Sequence, residues 1–415
     1  MKNFKHFYIY VLYILFTSLI YQCNEYEEPG MINTPTIDYA DNPVISSISP
    51  SEIAVAGVRY ITINGENFAH SGGQDTTKVF IGGERVTAES ISDNVIVANR
   101  PVAYGDDLMI RVVVSKALDI AGVDGYEVEI PIEDFGDFSR LAYDLTAVAV
   151  AENEDLYIAT RRSILYLTSD GINLKSIASL SPRFGTITDM KFGPGGYLYM
   201  LTGRKEMYRL LPDPSVTDSA YADSVLHYAE LSENSDYFDF DESGNIYFGD
   251  RDGLWKLMDD SLESFTGYYE DDPIKTIRVI NDYVYVATAG ELSRNQILNN
   301  SGDLGDTQIV VNIKNKPGLN SADISSFAVD DMGMVILCLK NIPGESLFVL
   351  ENDGTVKPYY TANILPGKVD QLIYGRGRYM YLNRGITLGG TAIADSTRMF
   401  RMGMQNNSAT YYGRD

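Results

Sequence analysis

The last two thirds of the chain repeat one short β pattern six times. In five of the six copies a tyrosine sits second in a four-residue apolar run, and the copies start 38 to 51 residues apart. Repeats of roughly 40 to 50 residues that are built from short β segments are typical of propeller blades. The pattern therefore predicts a six-bladed β-propeller. The copies are residues 156–159, 198–201, 246–249, 284–287, 335–338 and 380–383.

Each repeat has the same internal order: an apolar strand, a tight turn, the strand with the repeated pattern, a loop, and a strand that in five repeats carries an aromatic residue. This register predicts that the repeated tyrosines and Trp255 pack between blades. Asp239, Asp241 and Ser243 resemble the start of a calcium loop, but they stand where every other repeat has its first turn. We interpret them as part of a hairpin.

Residues 148–167 and 187–211 resemble propeller repeats of the NHL type. The resemblance covers about 270 residues and implies a propeller over residues 140–415. Two segments could add the outer strand of the last blade and close the ring, residues 409–412 or residues 140–143. The sequence does not choose between them.

The segment before the propeller alternates apolar and polar residues in short runs, which is typical of a β-sandwich. Residues 45–51 read I-x-x-I-x-P-S, residues 61–68 read I-T-I-x-G-x-N-F, and residues 79–83 read V-F-I-G-G. These motifs resemble the IPT/TIG family of immunoglobulin-like domains. The resemblance implies such a domain over residues 43–132 that acts as a spacer, with residues 133–139 as a polar joint. The predicted fold class is all-β, an immunoglobulin-like sandwich followed by the propeller.

The N-terminus has the pattern of a targeting segment. A basic start precedes an apolar run of 15 residues that ends shortly before Cys23. That run is short for a membrane span and suits a secretory signal. Residues 19–23 resemble a bacterial lipobox, which implies a signal peptide over residues 1–22, lipidation at Cys23 and a flexible tether over residues 23–42. The acidic residues after Cys23 resemble a surface-export tag, so we expect a lipid anchor in the outer membrane, with the protein facing the exterior.

The formal net charge is −24, which argues against nucleic acid as a partner. Against this background, the predicted loops between the second and third strands of the blades carry cations. In a propeller these loops share one face around the axis. Their cations therefore predict a site for ligands that carry carboxylates or sulfates. The other interpretation is that the cations tie loops to backbone carbonyls. The candidate ligand-binding residues are Arg161, Arg162, Arg204, Lys205, Arg251, Lys340 and Arg384.

The chain offers no Ser-His-Asp set and no zinc-binding spacing. We therefore predict no catalytic residue, no resident metal and no cofactor, while a Ca²⁺ site drawn from several blades stays open. The function we predict is a surface lipoprotein that binds a polysaccharide or oligosaccharide on its propeller face, alongside other outer-membrane glycan-uptake proteins. The alternatives are a metal-dependent sugar hydrolase or lyase of the gluconolactonase kind and a protein-interaction scaffold.

Overall fold

The computed structural model describes residues 39–415 with several gaps. The predicted signal peptide, Cys23 and most of the predicted tether lie outside the described residues. The gaps are residues 70–75, 140, 142–143, 162, 181–183, 204, 216–223, 232–233, 259–260, 265–267, 270–271, 361–368, 385–386, 389–390, 393–398, 411 and 413–415.

The first domain is a sandwich of two sheets. One sheet has the strand order β1-β3-β7-β6 and the other β2-β9-β8-β4-β5. Alternate side chains of each strand turn inward, and Ile61, Ile63, Ile96 and Ile110 are fully buried between the sheets. The strands are β1 Val44–Ser49, β2 Ile53–Ala54, β3 Tyr60–Glu66, β4 Thr77–Ile81, β5 Glu84–Val86, β6 Ala88–Ile91, β7 Val95–Asn99, β8 Gly105–Val114 and β9 Ala121–Val128.

The Gly-x-Asn-Phe step of the sandwich has the structural role that the family resemblance implies. A side chain on Gly65 would clash with the backbone oxygen of Val44 and with the ring of Phe68. Asn67 adopts a φ of 61°, in the left-handed region that asparagine tolerates best after glycine. Phe68 is fully buried. These residues turn the chain at the end of β3 and anchor it in the core.

The second domain is a propeller of six four-stranded sheets, as the repeats predict. Five sheets take their strands in chain order, and the sixth has the order β10-β35-β32-β31. Short 3₁₀ turns occur at Pro194–Gly196 and Ile313–Asn315. The strands are β10 Glu133–Asp134, β11 Leu145–Val150, β12 Leu156–Thr160, β13 Ser163–Leu167, β14 Leu174–Ser179, β15 Ile187–Phe192, β16 Leu198–Thr202, β17 Glu206–Leu210, β18 Leu226–Glu230, β19 Tyr237–Phe240, β20 Ile246–Gly249, β21 Leu254–Met258, β22 Ser261–Ser264, β23 Thr276–Ile280, β24 Tyr283–Ala287, β25 Glu291–Ile297, β26 Leu304–Asn312, β27 Asp323–Val329, β28 Val335–Lys340, β29 Leu347–Leu350, β30 Val356–Pro358, β31 Gln371–Tyr374, β32 Tyr379–Asn383, β33 Thr387–Leu388, β34 Thr391–Ala392 and β35 Met399–Gly403.

The first strands of the six blades surround the axis, because each of them contacts the first strand of the next blade and the sixth contacts the first. All neighbouring strands within a blade are antiparallel. The connections from second to third strand and from one blade to the next therefore lie on one face, which we call the loop face. The turns from first to second and from third to fourth strand lie on the opposite face, which we call the turn face.

The repeated tyrosines pack between blades, as predicted. The ring of Tyr157 in the first blade meets Phe192 of the second at a centroid distance of 5.5 Å. Tyr199 of the second blade meets Phe240 of the third at 4.8 Å. Edge-to-face and tilted contacts of this kind add to the stability gained from burial alone.

The ring closes through a segment that the sequence analysis assigned to the joint. Glu133 and Asp134 form the outer strand of the sixth blade, where they pair with Arg401 and Phe400. Both predicted closures, by residues 409–412 and by residues 140–143, are wrong. Closure by residues 133–134 also places the start of the propeller before residue 140. A two-residue strand carries too little alternation to be seen in the sequence.

The sandwich packs directly against the fifth and sixth blades. Arg59 donates to Glu351 Oε1 over 2.8 Å, and the hydroxyl of Tyr359 donates to the Gly57 carbonyl over 2.8 Å. Glu129 pairs with Arg378 over 3.2 Å. Glu351 and Arg378 belong to turns of the turn face, so the sandwich sits on the side of the propeller away from the loop face.

Gly57 offers a test of this docking. A methyl group on Gly57 would lie 2.7 Å from Met404 Cα and 2.9 Å from Gln405 N, both backbone atoms of the propeller. We expect Gly57→Ala to weaken the domain contact by about 1–3 kcal/mol, as overpacking does. Calorimetry should then show the two domains unfolding in separate transitions.

Gly122→Ala is the matched control, since its added methyl would lie at an ordinary 3.7 Å from Ile110 O in the same domain. Identical single transitions for the two variants would contradict the docked arrangement.

Candidate ligand-binding face

The loop face carries six connections between second and third strands. They are short in the first four blades. They are longer in the last two, between β28 and β29 and between β32 and β35. The connections are residues 161–162, 203–205, 250–253, 288–290, 341–346 and 384–398.

The predicted cations of the first three blades lie in these connections. Arg161 is exposed between β12 and β13, and Lys205 is half-buried between β16 and β17 with a φ of 61°. Arg251 is 81% exposed, with its Nε 3.6 Å from Asp252 Oδ1. Arg162 and Arg204 lie outside the described residues. The described arginines of the first and third blades are therefore exposed to water, and Arg251 also lies beside one carboxylate.

The cations of the last two blades have intramolecular partners. Lys340 ends β28, and its Nζ lies 2.7 Å from Asp370 Oδ1 in the connection to the sixth blade. Arg384 follows β32 with its guanidinium 5.8 Å from the centre of the Phe400 ring. Lys340 thus ties two loops together, and Arg384 covers an aromatic ring.

The connection of the third blade is ordered by Asp250. Its Oδ1 accepts hydrogen bonds from Asp252 N at 2.7 Å, Gly253 N at 3.1 Å and Trp255 Nε1 at 3.3 Å. Burial raises the pKa of the Asp250 carboxyl, while these donors act in the opposite direction. Trp255 packs, partly buried, against the cluster that contains Phe238 and Phe248, as predicted. The turn therefore holds Arg251 in an exposed position on a rigid base.

The long connection of the sixth blade contains a small hairpin, in which β33 pairs with β34. The sequence places this insertion where it could cover the axis. The glycine pair of this insertion, Gly389 and Gly390, predicts from the sequence that it is mobile, and the pair lies outside the described residues.

The structure also brings together four charged residues whose grouping was not predicted from the sequence. Asp189 and Lys191 lie on β15, Asp239 on β19 and Arg278 on β23, all first strands of blades. Asp189, Lys191 and Asp239 are at most 6% exposed. A sequence signal existed, because charged residues interrupt strands that are otherwise apolar.

The two buried carboxylates hold neighbouring blades together. Asp189 Oδ2 accepts from Phe238 N of the next blade at 3.2 Å, and Asp239 Oδ2 accepts from Val279 N at 2.9 Å. Each carboxylate therefore accepts a hydrogen bond from a backbone N–H group of the next blade. A buried N–H group without a partner would lower the stability of the fold. This also confirms that Asp239 belongs to a hairpin strand.

Lys191 is the titratable group at the centre of this cluster. Its Nζ lies 2.5 Å from Asp189 Oδ1 and 5.6 Å from the centre of the Phe238 ring. Burial, together with the charge of Arg278, lowers the pKa of Lys191 to about 8, against the opposing effect of the two aspartates.

The C-terminal segment closes the turn-face end of the axis. Ala409 N donates to Val329 O at 3.0 Å, on the edge of β27 that faces the axis. Asn406 Nδ2 donates to Asp330 Oδ2 at 2.6 Å, and Tyr374 donates to the Asn406 carbonyl at 2.6 Å. A ligand that approaches the axis from the turn face would meet the chain's own tail.

Two further features concern the described residues alone. They contain no group of three His, Cys, Asp or Glu side chains that could hold a metal ion. Their helices include none with the length and apolar character of a membrane span. Cys338 is buried in β28, and burial raises the pKa of its thiol to about 12.

Comparison with known proteins supports both domains. Residues 43–127 match the family model described as the IPT/TIG domain, which confirms the predicted resemblance. An auxiliary nutrient binding protein from Bacteroides thetaiotaomicron is 12% identical with a TM-score of 0.50, over 87% of this chain and 97% of that one. A luciferin-regenerating enzyme is 11% identical with a TM-score of 0.51, over 68% of this chain and 98% of that one. At these identities the likeness shows the fold. No curated protein matches the chain.

The buried lysine predicts a pH dependence of stability. The pKa of Lys191 is about 8 in the folded protein, against the ordinary lysine value of 10.5, so the unfolded chain binds more protons between these values. Stability from this group therefore rises with pH across that window. We expect wild type to gain about 2 kcal/mol relative to Lys191→Met between pH 8 and pH 10.

Urea unfolding of both proteins at the two pH values measures this gain. A stability difference that is the same at pH 8 and pH 10 would show that Lys191 titrates normally.

Proposed function

We propose that this protein is a non-catalytic binding protein that captures an acidic polysaccharide on the loop face of its propeller. The observation that carries the proposal is the exposure of Arg161 and Arg251 on that face, in a chain with a net charge of −24. Most charges of such a surface repel an anionic glycan, so exposed arginines around the axis form a local exception. Arginine pairs with carboxylates and sulfates through two parallel hydrogen bonds.

The placement of the other elements supports the same face. The C-terminal segment fills the turn-face end of the axis, and the sandwich contacts turns of the same side at Glu351 and Arg378. The loop face thus points away from the sandwich, which acts as a spacer that presents it.

The fold alone does not choose between binding and catalysis. Of the two solved structures with this fold, one is named a nutrient binding protein and the other an enzyme. Binding is favoured because the exposed guanidinium groups of Arg161 and Arg251 can pair with an anionic ligand without any chemical step. A sugar hydrolase and a protein scaffold are the competing functions, and the experiment below separates binding from hydrolysis.

The loop face is tested with a glycan array followed by calorimetry. We expect acidic or sulfated glycans to bind, and Arg161→Ala combined with Arg251→Ala to weaken that binding by about two orders of magnitude or more. Each charged hydrogen bond is worth roughly 1.5–3 kcal/mol, and two are lost. Binding should also weaken as salt rises, because both arginines are exposed.

The matched control is Lys78→Ala combined with Arg85→Ala, which removes two exposed cations from the sandwich instead. Acidic glycans that bind the loop-face variant as tightly as wild type would refute the proposed site. Hydrolysis of any array glycan by wild type would favour the enzyme.

We further propose that Cys23 carries a lipid that anchors the protein in the outer membrane, where it would act with glycan-uptake proteins. The support is the apolar run that ends before Cys23 and the polar tether that follows. Cells grown with radioactive palmitate should label wild type and leave Cys23→Ala unlabelled. Label on the variant would refute lipidation at Cys23, whatever the outcome for the loop face.

A further inference from the structure

A concave surface lies on the turn face, between the fourth and fifth blades. It has a volume of about 380 Å³, which falls in the range of small-molecule sites. Tyr285, Arg294, Gln308 and Ile309 form its fourth-blade wall. Its fifth-blade wall comes from β28 and from the turn after β29, which includes Asn352.

A neighbouring pocket of about 360 Å³ extends this surface to the sandwich. It is lined by Tyr60 and Glu89 of the sandwich and by Lys357 of β30. Glu351 and Asn352 line both pockets. The two pockets therefore form one groove, which we call the junction groove, and its shape depends on the docking of the two domains.

The cations of the junction groove have carboxylates or neutral acceptors of the protein as partners. Arg59 pairs with Glu351 at 2.8 Å, and Lys357 lies 3.6 Å from Glu89. Arg294 is held between acceptors, donating to Tyr285 Oη at 3.1 Å and to Gln308 Oε1 at 3.2 Å. A ligand would meet hydrogen-bonding groups here rather than an excess of one charge.

Rigid supports hold those groups. The guanidinium of Arg294 lies 4.5 Å from the centre of the Tyr283 ring, and that of Arg59 lies 4.8 Å from the Tyr60 ring. Stacking of this kind fixes a long side chain before any ligand arrives. Ile309 adds an apolar patch beside them that is 64% exposed.

This combination suits a particular ligand chemistry. Sugar hydroxyls donate and accept hydrogen bonds at once, and they match sites in which an amide or carboxylate stands beside a guanidinium. The C–H faces of a sugar ring need apolar surface such as Ile309. We propose that the junction groove binds a short stretch of a neutral oligosaccharide, at a site separate from the loop face.

The test uses variants that alter exposed side chains and leave the domain contact in place. Gln308→Ala and Asn352→Ala, combined, remove two amides from the groove. Asn173→Ala is the matched control, because Asn173 is exposed in the corresponding turn of the first blade. The probes are maltohexaose, cellohexaose, mannohexaose and xylohexaose, each titrated into the full chain by calorimetry.

We expect at least one of these neutral hexasaccharides to bind, and the double variant to bind it about tenfold or more weakly. Each neutral hydrogen bond contributes a factor of roughly 2 to 13. The Asn173→Ala control and the Arg161→Ala, Arg251→Ala variant should bind it as wild type does. Raising salt should have little effect, because the ligand carries no charge.

The failure of this inference is distinct from that of the loop-face site. No binding of any of the four probes, or equal binding by wild type and the double variant, overturns the junction groove. Loss of hexasaccharide binding in the Arg161→Ala, Arg251→Ala variant would also overturn it, because it would place the neutral sugar on the loop face.

Discussion

The closure of the ring by Glu133 and Asp134 is the constraint on which the rest of the structure depends. The strand itself is short, but Phe135 directly after it is 2% exposed and packs at 5.2 Å from the ring of Tyr381. Arg401 completes the joint, since it pairs with Glu133 at 2.6 Å and donates to the Ser169 carbonyl of the first blade at 2.8 Å. One arginine thus joins the closing strand, the last blade and the first blade.

This closure also fixes the sandwich. The closing strand follows β9 within a few residues, so the sandwich cannot move far from the sixth blade while the ring stays closed. The docking contacts at Gly57, Arg59 and Glu129 then act on two bodies that are already close together, which lowers the entropy that they must offset. Ring closure, domain docking and the shape of the junction groove therefore all depend on the short segment that leads from β9 into β10.

The sequence predicted those parts of the fold that repeat. The second strands carry the same pattern in each blade because they pack against neighbours on both faces, as the buried Tyr157 and Tyr199 show. The turns were also placed correctly, since Asp241 and Gly244 close a hairpin between β19 and β20. Features that occur once were missed. Phe135 looks like a linker residue in sequence, and its burial depends on Tyr381, almost 250 positions later.

The axial charges escaped prediction for a different reason. Asp189 and Asp239 accept hydrogen bonds from backbone N–H groups of the next blade, and a backbone donor leaves no complementary residue type in the sequence. For the loop-face cations, the repeat register predicted the positions but could not decide whether the cations bind a ligand or hold loops together. In the structure Lys340 pairs with Asp370 and holds two loops together, whereas the Arg251 side chain is 81% exposed.

This division of the cations is what distinguishes the two proposed surfaces. On the turn face and at the domain contact, Arg59, Arg294 and Arg401 each lie over an aromatic ring and bond to an acceptor in the protein. These contacts hold the three guanidinium groups in place, and Arg59 and Arg401 also pair with carboxylates, so a ligand gains little there from bringing its own charge. On the loop face, Arg161 and Arg251 are exposed, with Asp252 Oδ1 at 3.6 Å from Arg251 Nε, and an anionic ligand would supply further partners. Arginine therefore provides rigidity where rings and acceptors of the protein hold its side chain, and charge selection where its side chain stays exposed to water.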